Sequence, residues 1–252
     1  MFFSQYINMS KVVLQKIKDA ILHESPFPYI YIEDFLPDDI YKEVLADYPT
    51  VETFKQMGQD IQNNIRYQLS IKDIYENEHY GNYRKLIEDI FDQEFYDTVR
   101  EKFRYGPETK VGRRFMDKCD VQLDFQPGIN SPVTRECSVR SPHVDSPEEL
   151  FAGLLYLRAP EDDSTGGELE LYNTKGKPRF CRKQKIQDKD RLYLRKNEVT
   201  NTDCLVKELT IPYKANNFVM FVNSKQAIHG VSPRGITGHE RRLLNIIYEK
   251  RQ

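Results

Sequence analysis

The chain has no tryptophan and only four cysteines, Cys119, Cys137, Cys181 and Cys204. None forms a CxxC pair, and the gaps of 18, 44 and 23 residues match no zinc-ribbon spacing. So few scattered cysteines argue against a disulfide scaffold and for a reducing compartment. No apolar run approaches the roughly 18–20 residues that span a bilayer. The start, "MFFSQYINMSKVVLQ", lacks a charged segment followed by a long apolar one, so it does not read as a signal peptide. These absences lead us to expect a soluble, cytoplasmic protein with no membrane partner. Neither sign of charge dominates: 37 Lys+Arg stand against 39 Asp+Glu, a formal net charge of −2. A global electrostatic grip on nucleic acid is therefore not expected. There is no internal repeat and no low-complexity tract.

What is present can build a core. Apolar residues make up 39% of the 252 residues, with 16 Tyr and 14 Phe, which excludes global disorder. The first ~115 residues read as mostly helical. Ser10 is placed to cap a helix through "KVVLQKIKDAILHE", where Val12, Val13, Ile17, Ile21 and Leu22 form an apolar stripe. "FPYIYIEDFL" reads as a strand and turn. "PDDIYKEVLADYP" reads as a helix from Pro37 or Asp38, with acids in its first turn. A third helical zone covers Asn82 to Phe103.

The pattern changes after Gly112. "DVQLDFQPG" alternates and ends in a turn signal. "FAGLLYLRAP", "GELELY", "LVKELTIPY", "NFVMFVNS" and "RRLLNIIYE" follow as strand-length runs separated by Pro, Gly, Asn and Asp clusters. Strands that follow one another without crossover helices imply an antiparallel sandwich or barrel. The expectation is a mainly β chain with N-terminal α structure: a helical support region over 1–115 and a barrel over 116–252, together one compact catalytic domain. Inside the barrel region, the run from Lys175 to Lys196 holds ten basic residues against Asp188 and Asp190. A solvated insertion loop explains such a run. A rim that attracts an anionic substrate explains it as well.

Chemistry concentrates in "SPHVDSPEEL". His143 and Asp145 are two residues apart, so on an extended chain both side chains share a face, about 7 Å apart along the strand. One imidazole nitrogen and one carboxylate oxygen can then reach a single divalent metal. Alone the pair is weak, since a polar loop that contains a histidine has the same spelling. His229, at the end of "NFVMFVNSKQAIHG", follows an apolar strand, and Gly230 beside it allows close backbone approach to a ligand. Two histidines and a carboxylate in this order form the facial triad that leaves iron positions open. Twelve residues on comes a strand led by Arg241 and Arg242. A buried arginine there needs an anionic partner, either a ligand carboxylate or a structural acid such as Glu240 or Glu249.

In that order, His143-x-Asp145, "GLLYL", "GGELELY", "FVNSKQAIHGVSP" and the arginine-led strand resemble the Fe(II)/2-oxoglutarate-dependent oxygenases, and among them the prolyl 4-hydroxylase-like branch of bacterial and phage type. The resemblance covers roughly Asp120 to Gln252, and "FPYIYIEDFLPDDIYKEVLADYP" resembles an N-terminal segment common in such members. It implies a double-stranded β-helix, a jelly-roll of cupin-like form, flanked by helices. It implies Fe(II) held by His143, Asp145 and His229, with 2-oxoglutarate and O2 as cosubstrates. Tyr156 matches a tyrosine that often meets the 2-oxoglutarate tail, and Arg241 or Arg242 matches the residue that pairs with its distal carboxylate. Strand alternation favours Arg241, which shares a face with Leu243 and Asn245, while Arg242 shares one with Leu244 and Ile246. Asn245 joins the cosubstrate candidates as the polar residue suited to a wet site.

The resemblance implies hydroxylation of an unactivated C–H bond, with release of succinate and CO2. Asp145 favours this over halogenation, because related halogenases carry a small residue there. The expected substrate is a small anionic metabolite such as an amino acid or a sugar or nucleotide derivative. A peptidyl, prolyl-type hydroxylase and a non-catalytic metal- or ligand-binding barrel are the alternatives. Candidate substrate residues are Arg140, Arg66, Asn223 and Gln122. Gln122, Asp124, Asn223 and Ser224 are candidates to orient the ligand imidazoles.

Overall fold

The structure, a computed structural model, describes residues 2–104, 121–182, 185–187 and 192–251. The expected boundary between 115 and 116 lies outside the described residues, as do Cys119, Lys183, Lys189 and Arg191. Among the described residues the helices are α1 (Phe2–Asp19), α2 (Asp38–Ala46), α3 (Val51–Gln56), α4 (Ile71–Glu76), α5 (Gly81–Asp89) and α6 (Gln93–Arg104). The strands are β1 (Tyr29–Ile32), β2 (Arg66–Gln68), β3 (Val121–Asn130), β4 (Glu149–Tyr156), β5 (Leu169–Thr174), β6 (Lys185–Gln187), β7 (Leu192–Leu194), β8 (Leu205–Ile211), β9 (Phe218–Val222), β10 (Ile228–Val231) and β11 (Arg241–Lys250). No helix among the described residues is long and apolar enough to cross a membrane.

All named strand pairs are antiparallel. The larger sheet runs β1-β9-β4-β11-β3-β2, and a smaller one runs β10-β5-β8. Isolated bridges from His143 to His229 and to Glu198 extend the smaller sheet beyond β10. Alternation along each strand divides the apolar residues between the two faces of the larger sheet. On one face Phe125, Leu155, Phe218, Met220, Leu244, Ile246 and Tyr248 form one core cluster with Phe35, Tyr83, Phe91 and Phe95. On the other, Tyr29, Ala152, Tyr156, Val219, Phe221 and Leu243 pack with Leu169, Leu171, Ile211 and Tyr213 of the smaller sheet and its edge. The fold is a double-stranded β-helix with helices against one face.

Several local expectations change. Ser10 lies inside α1, which starts far upstream of it and ends at Asp19 rather than running to Glu24. The third helical zone is broken between α5 and α6. Asp92 accepts the backbone N–H of Phe95 through its side chain, so it caps a new helix instead of continuing the old one. Pro127-Gly128 is not a turn, because β3 runs through it to Asn130 in register with β11. Proline is tolerated there because its neighbour supplies the bonds: the Pro127 carbonyl accepts from Leu69, and the Tyr48 hydroxyl meets both N–H and C=O of Gly128. The short strand β2 escaped the sequence reading, since "RYQ" has no legible period. With β1 it makes the helical half of the chain supply both edges of the larger sheet.

Candidate functional site

His143, Asp145 and His229 converge at one place. One ligand atom from each lies within 4.8 Å of the others. The backbone brings this about: His143 N–H donates to His229 O at 2.8 Å, and His229 N–H returns to His143 O at 3.0 Å. The two rings stand 4.2 Å apart between centroids. Gly230 matters here in a different way from the sequence expectation. A Cβ on it would come within 3.1 Å of Pro142 N and 3.2 Å of Pro142 Cα, so the glycine lets the two histidine segments close on each other rather than on a ligand.

Each imidazole is oriented by a carbonyl two residues upstream. His143 Nδ1 is 2.9 Å from Ser141 O, and His229 Nδ1 is 3.0 Å from Ala227 O. A carbonyl only accepts, so Nδ1 carries a proton, and Nε2 is the nitrogen turned toward Asp145. Burial, then the neighbouring His229, pushes the His143 pKa down to about 3, which keeps that ring neutral. Its Nε2 lies 3.5 Å from Asp145 Oδ1, and that of His229 lies 3.6 Å from the same oxygen. Two Nε2 atoms and one carboxylate oxygen therefore converge, a donor set that suits a divalent cation. The side chains expected to orient the imidazoles do not do so. Gln122 donates to Glu249, Asp124 accepts from Gln126, and Asn223 donates to the carbonyls of Ser146 and Glu149. Backbone carbonyls fill that role because each sits two residues upstream of its histidine, at an offset the local backbone fixes.

The three residues line a cavity of about 390 Å³ together with Arg66, Gln126, Arg140, Glu149, Arg195, Asn197, Phe221, Arg241, Leu243 and Asn245. Arg241 is fully buried in it. Its Nε donates to Gly167 O at 2.7 Å, Nη1 to Asn130 Oδ1 at 3.0 Å and Nη2 to Tyr156 Oη at 3.2 Å. Its guanidinium lies over the rings of Tyr156 and Tyr213, at 5.0 and 5.2 Å. Three of five N–H groups are thus engaged, and no acid is bonded to Arg241 among the described residues. The amide nitrogen of Asn130 beside it is buried without a partner. Two free guanidinium N–H groups and an orphan amide donor fit a carboxylate. Gly167 belongs to this arrangement: its φ is +82°, and a Cβ there would come within 2.9 Å of Arg241 Cδ.

Arg242 faces the other way, so its inclusion among the cosubstrate candidates is corrected. Its Nε is 3.5 Å from Glu240 Oε2, and its guanidinium lies over Tyr48. Glu240 is thus the structural acid, but for the neighbouring arginine, while Glu249 is bonded to Gln122. Gln122 and Asn223 are likewise corrected as substrate residues, because neither lines the cavity and both are tied to the groups named above. Arg66, Arg140 and Asn245 do line it, with Asn245 donating to Gln126 at 3.1 Å. The sequence reading missed Asn130 and Gly167, and it offered Arg195 only as one of the basic run. The two positive-φ glycines in "TGGE" and the late arginine of the basic run were the available signals.

Residues 136–249 match the family model of the 2OG-Fe(II) oxygenase superfamily. That stretch is similar to the superfamily and makes up less than half of the chain. Solved structures similar in fold include a prolyl 4-hydroxylase from Phytophthora capsici, at 15% identity and TM-score 0.53, matched over 98% of this chain and 65% of that one. Another is a prolyl hydroxylase from Trichoplax adhaerens in complex with a hypoxia inducible factor peptide fragment, at 14% identity and TM-score 0.52, over 98% and 92%. A Pseudomonas putida prolyl-4-hydroxylase matches at 15% identity and TM-score 0.51, over 97% and 100%. No curated protein sequence matches the chain.

Proposed function

We propose that this chain is a 2-oxoglutarate-dependent non-haem iron hydroxylase acting on a small anionic metabolite. The observation that carries the reading is the convergence of two Nε2 atoms and Asp145 Oδ1, in one cavity with an arginine that has no acid partner among the described residues. In this reading His143, Asp145 and His229 hold iron, and Arg241, Tyr156 and Asn130 receive the distal carboxylate of 2-oxoglutarate. With O2 these cofactors supply the oxidant that converts a substrate C–H to C–OH, releasing succinate and CO2.

The protein's own part is orientation and exclusion. The carbonyls of Ser141 and Ala227 fix the two imidazoles with Nε2 toward the metal position. Phe221, 4.7 Å from the His229 ring between centroids, and Leu243 give the site apolar walls. The surplus of arginine in the cavity favours an anionic substrate over a neutral prolyl peptide. Free thiols at Cys137 and Cys204 support a reducing, cytoplasmic setting.

The test is anaerobic addition of Fe(II) and 2-oxoglutarate. The expected result is the weak visible charge-transfer band of the chelate, then succinate once O2 is admitted. Absence of the band in folded protein overturns the reading. His143→Ala, Asp145→Ala and His229→Ala should each lose bound iron by metal analysis as well as turnover.

A further inference from the structure

Three guanidinium groups other than Arg241 line the cavity, from three separate segments. Arg66 stands on the edge strand β2, Arg140 in the loop before His143, and Arg195 just beyond β7, near the end of the basic run. The side chains of Arg66 and Arg195 make no hydrogen bond or ion pair among the described residues. That of Arg140 has one acidic neighbour, Glu198 Oε1, 3.6 Å from its Nε. Glu198 is almost wholly buried, and its other oxygen accepts the backbone N–H of Arg195 at 2.8 Å. One carboxylate therefore ties the Arg140 loop to the Arg195 segment and holds both at the cavity.

Burial, then repulsion from Arg241 and Arg140, pushes the Arg66 pKa down to about 10, which still leaves it charged at neutral pH. Two further acids interact with Arg140. Asp145 is assigned to iron, and Asp124 and Glu149 also line the cavity, but neither forms an ion pair with Arg66 or Arg195. Among the described residues neither Arg66 nor Arg195 has an acid at ion-pair distance, which leaves two guanidinium groups free for an anion. Half-buried guanidinium groups that line one cavity without an acid offer their donors to an anion of matching charge. A phosphate monoester places a charge of about −1.5 to −2 on one centre with three free oxygens, and guanidinium forks match that geometry.

Resting on the oxygenase reading of the cavity, we propose that Arg66, Arg140 and Arg195 form a subsite for a phosphate monoester on the substrate. The enzyme then hydroxylates a phosphorylated small molecule. The basic run acquires a role in this: through Arg195 it supplies one wall of the subsite.

Direct binding tests this without turnover. Methyl phosphate, acetate and succinate are titrated calorimetrically into metal-free protein. Methyl phosphate should bind at least tenfold more tightly than acetate or succinate. Arg66→Gln, Arg140→Gln and Arg195→Gln, each checked for fold by circular dichroism, should weaken it tenfold or more, and Lys177→Gln should leave it unchanged. Equal binding of methyl phosphate and acetate overturns the proposal, as does tighter binding of succinate. So does an affinity that survives the three substitutions in folded protein but falls with Arg241→Ala, which would put the phosphate in the cosubstrate site. Stimulation of succinate release by a proline-containing peptide, with a KM unaffected by Arg66→Gln, also overturns it. The charge-transfer band reports on the oxygenase reading separately. A missing band with arginine-dependent phosphate binding sinks that reading and leaves the subsite; the reverse pattern sinks only the subsite.

Discussion

Arg241 and Arg242 are adjacent, equally charged and both arginine, yet alternation sends them to opposite faces of β11. Arg241 enters the cavity, and Arg242 sits against Glu240 and Tyr48. Arg241→Ala should therefore weaken 2-oxoglutarate binding at least about 30-fold, the equivalent of ~2 kcal/mol for a truncated buried charge pair. Arg242→Ala should leave that affinity within about twofold and act on stability instead, as read by titrating the anaerobic chelate. Glu149 makes a second prediction at this scale. Its carboxyl, with a pKa about 8 in the folded state against 4.5 as the ordinary value, holds a proton that the unfolded chain releases. The folded state thus binds more protons between those two values, so stability falls as pH rises through that window. In metal-free protein the urea midpoint should drop between pH 5 and 8, and Glu149→Gln should flatten that drop. An identical profile in the variant would show that Glu149 is ionised when folded.

Turns and short strands position the long strands' side chains. The Gly166-Gly167 turn, with φ values of +79° and +82°, sets the carbonyl that holds Arg241 Nε. Gly167→Ala forces a Cβ into left-handed backbone and against Arg241, so it should cost about 1–3 kcal/mol and weaken 2-oxoglutarate binding too. Gly176→Ala is the control, since the nearest atom to its added Cβ lies at 3.6 Å and its φ is not positive. Thermal denaturation of both, with and without cosubstrate, checks this. The edge strand β2 makes the complementary point. Three residues long, it aligns Arg66 with Asn130, which β11 in turn pairs with Arg241. One register thereby places the substrate candidate and the cosubstrate candidate in the same cavity.

Across the whole molecule, the helical half and the barrel share a core. Phe35 stacks on Phe218 at 4.1 Å, and Phe95 packs on Tyr248 at 6.2 Å. Phe218→Ala should cost ~3–5 kcal/mol, a large part of the ~5–15 kcal/mol that holds a domain folded, and should lower the urea midpoint accordingly. A chain beginning at residue 121 would lose β1 and β2 and expose the edges of β9 and β3. It should be insoluble, and a soluble monomeric fragment would show that the barrel stands without its helical half.

The amino-acid order alone determined the alternating strands, the His143-x-Asp145 pair with its later histidine, and which of two arginines shares a face with Asn245. Those features follow from period and spacing within one strand, which the backbone imposes wherever that strand lies. Tertiary structure decided what depends on segments far apart in the chain. It made Ser141 and Ala227 carbonyls, not Gln122 or Asn223, the groups that orient the imidazoles. It brought Asn130 and Gly167 to Arg241, and it gathered Arg66, Arg140 and Arg195 around one cavity in a chain whose net charge is only −2. No local pattern encodes those meetings, because each depends on register and on the closing of one sheet over another.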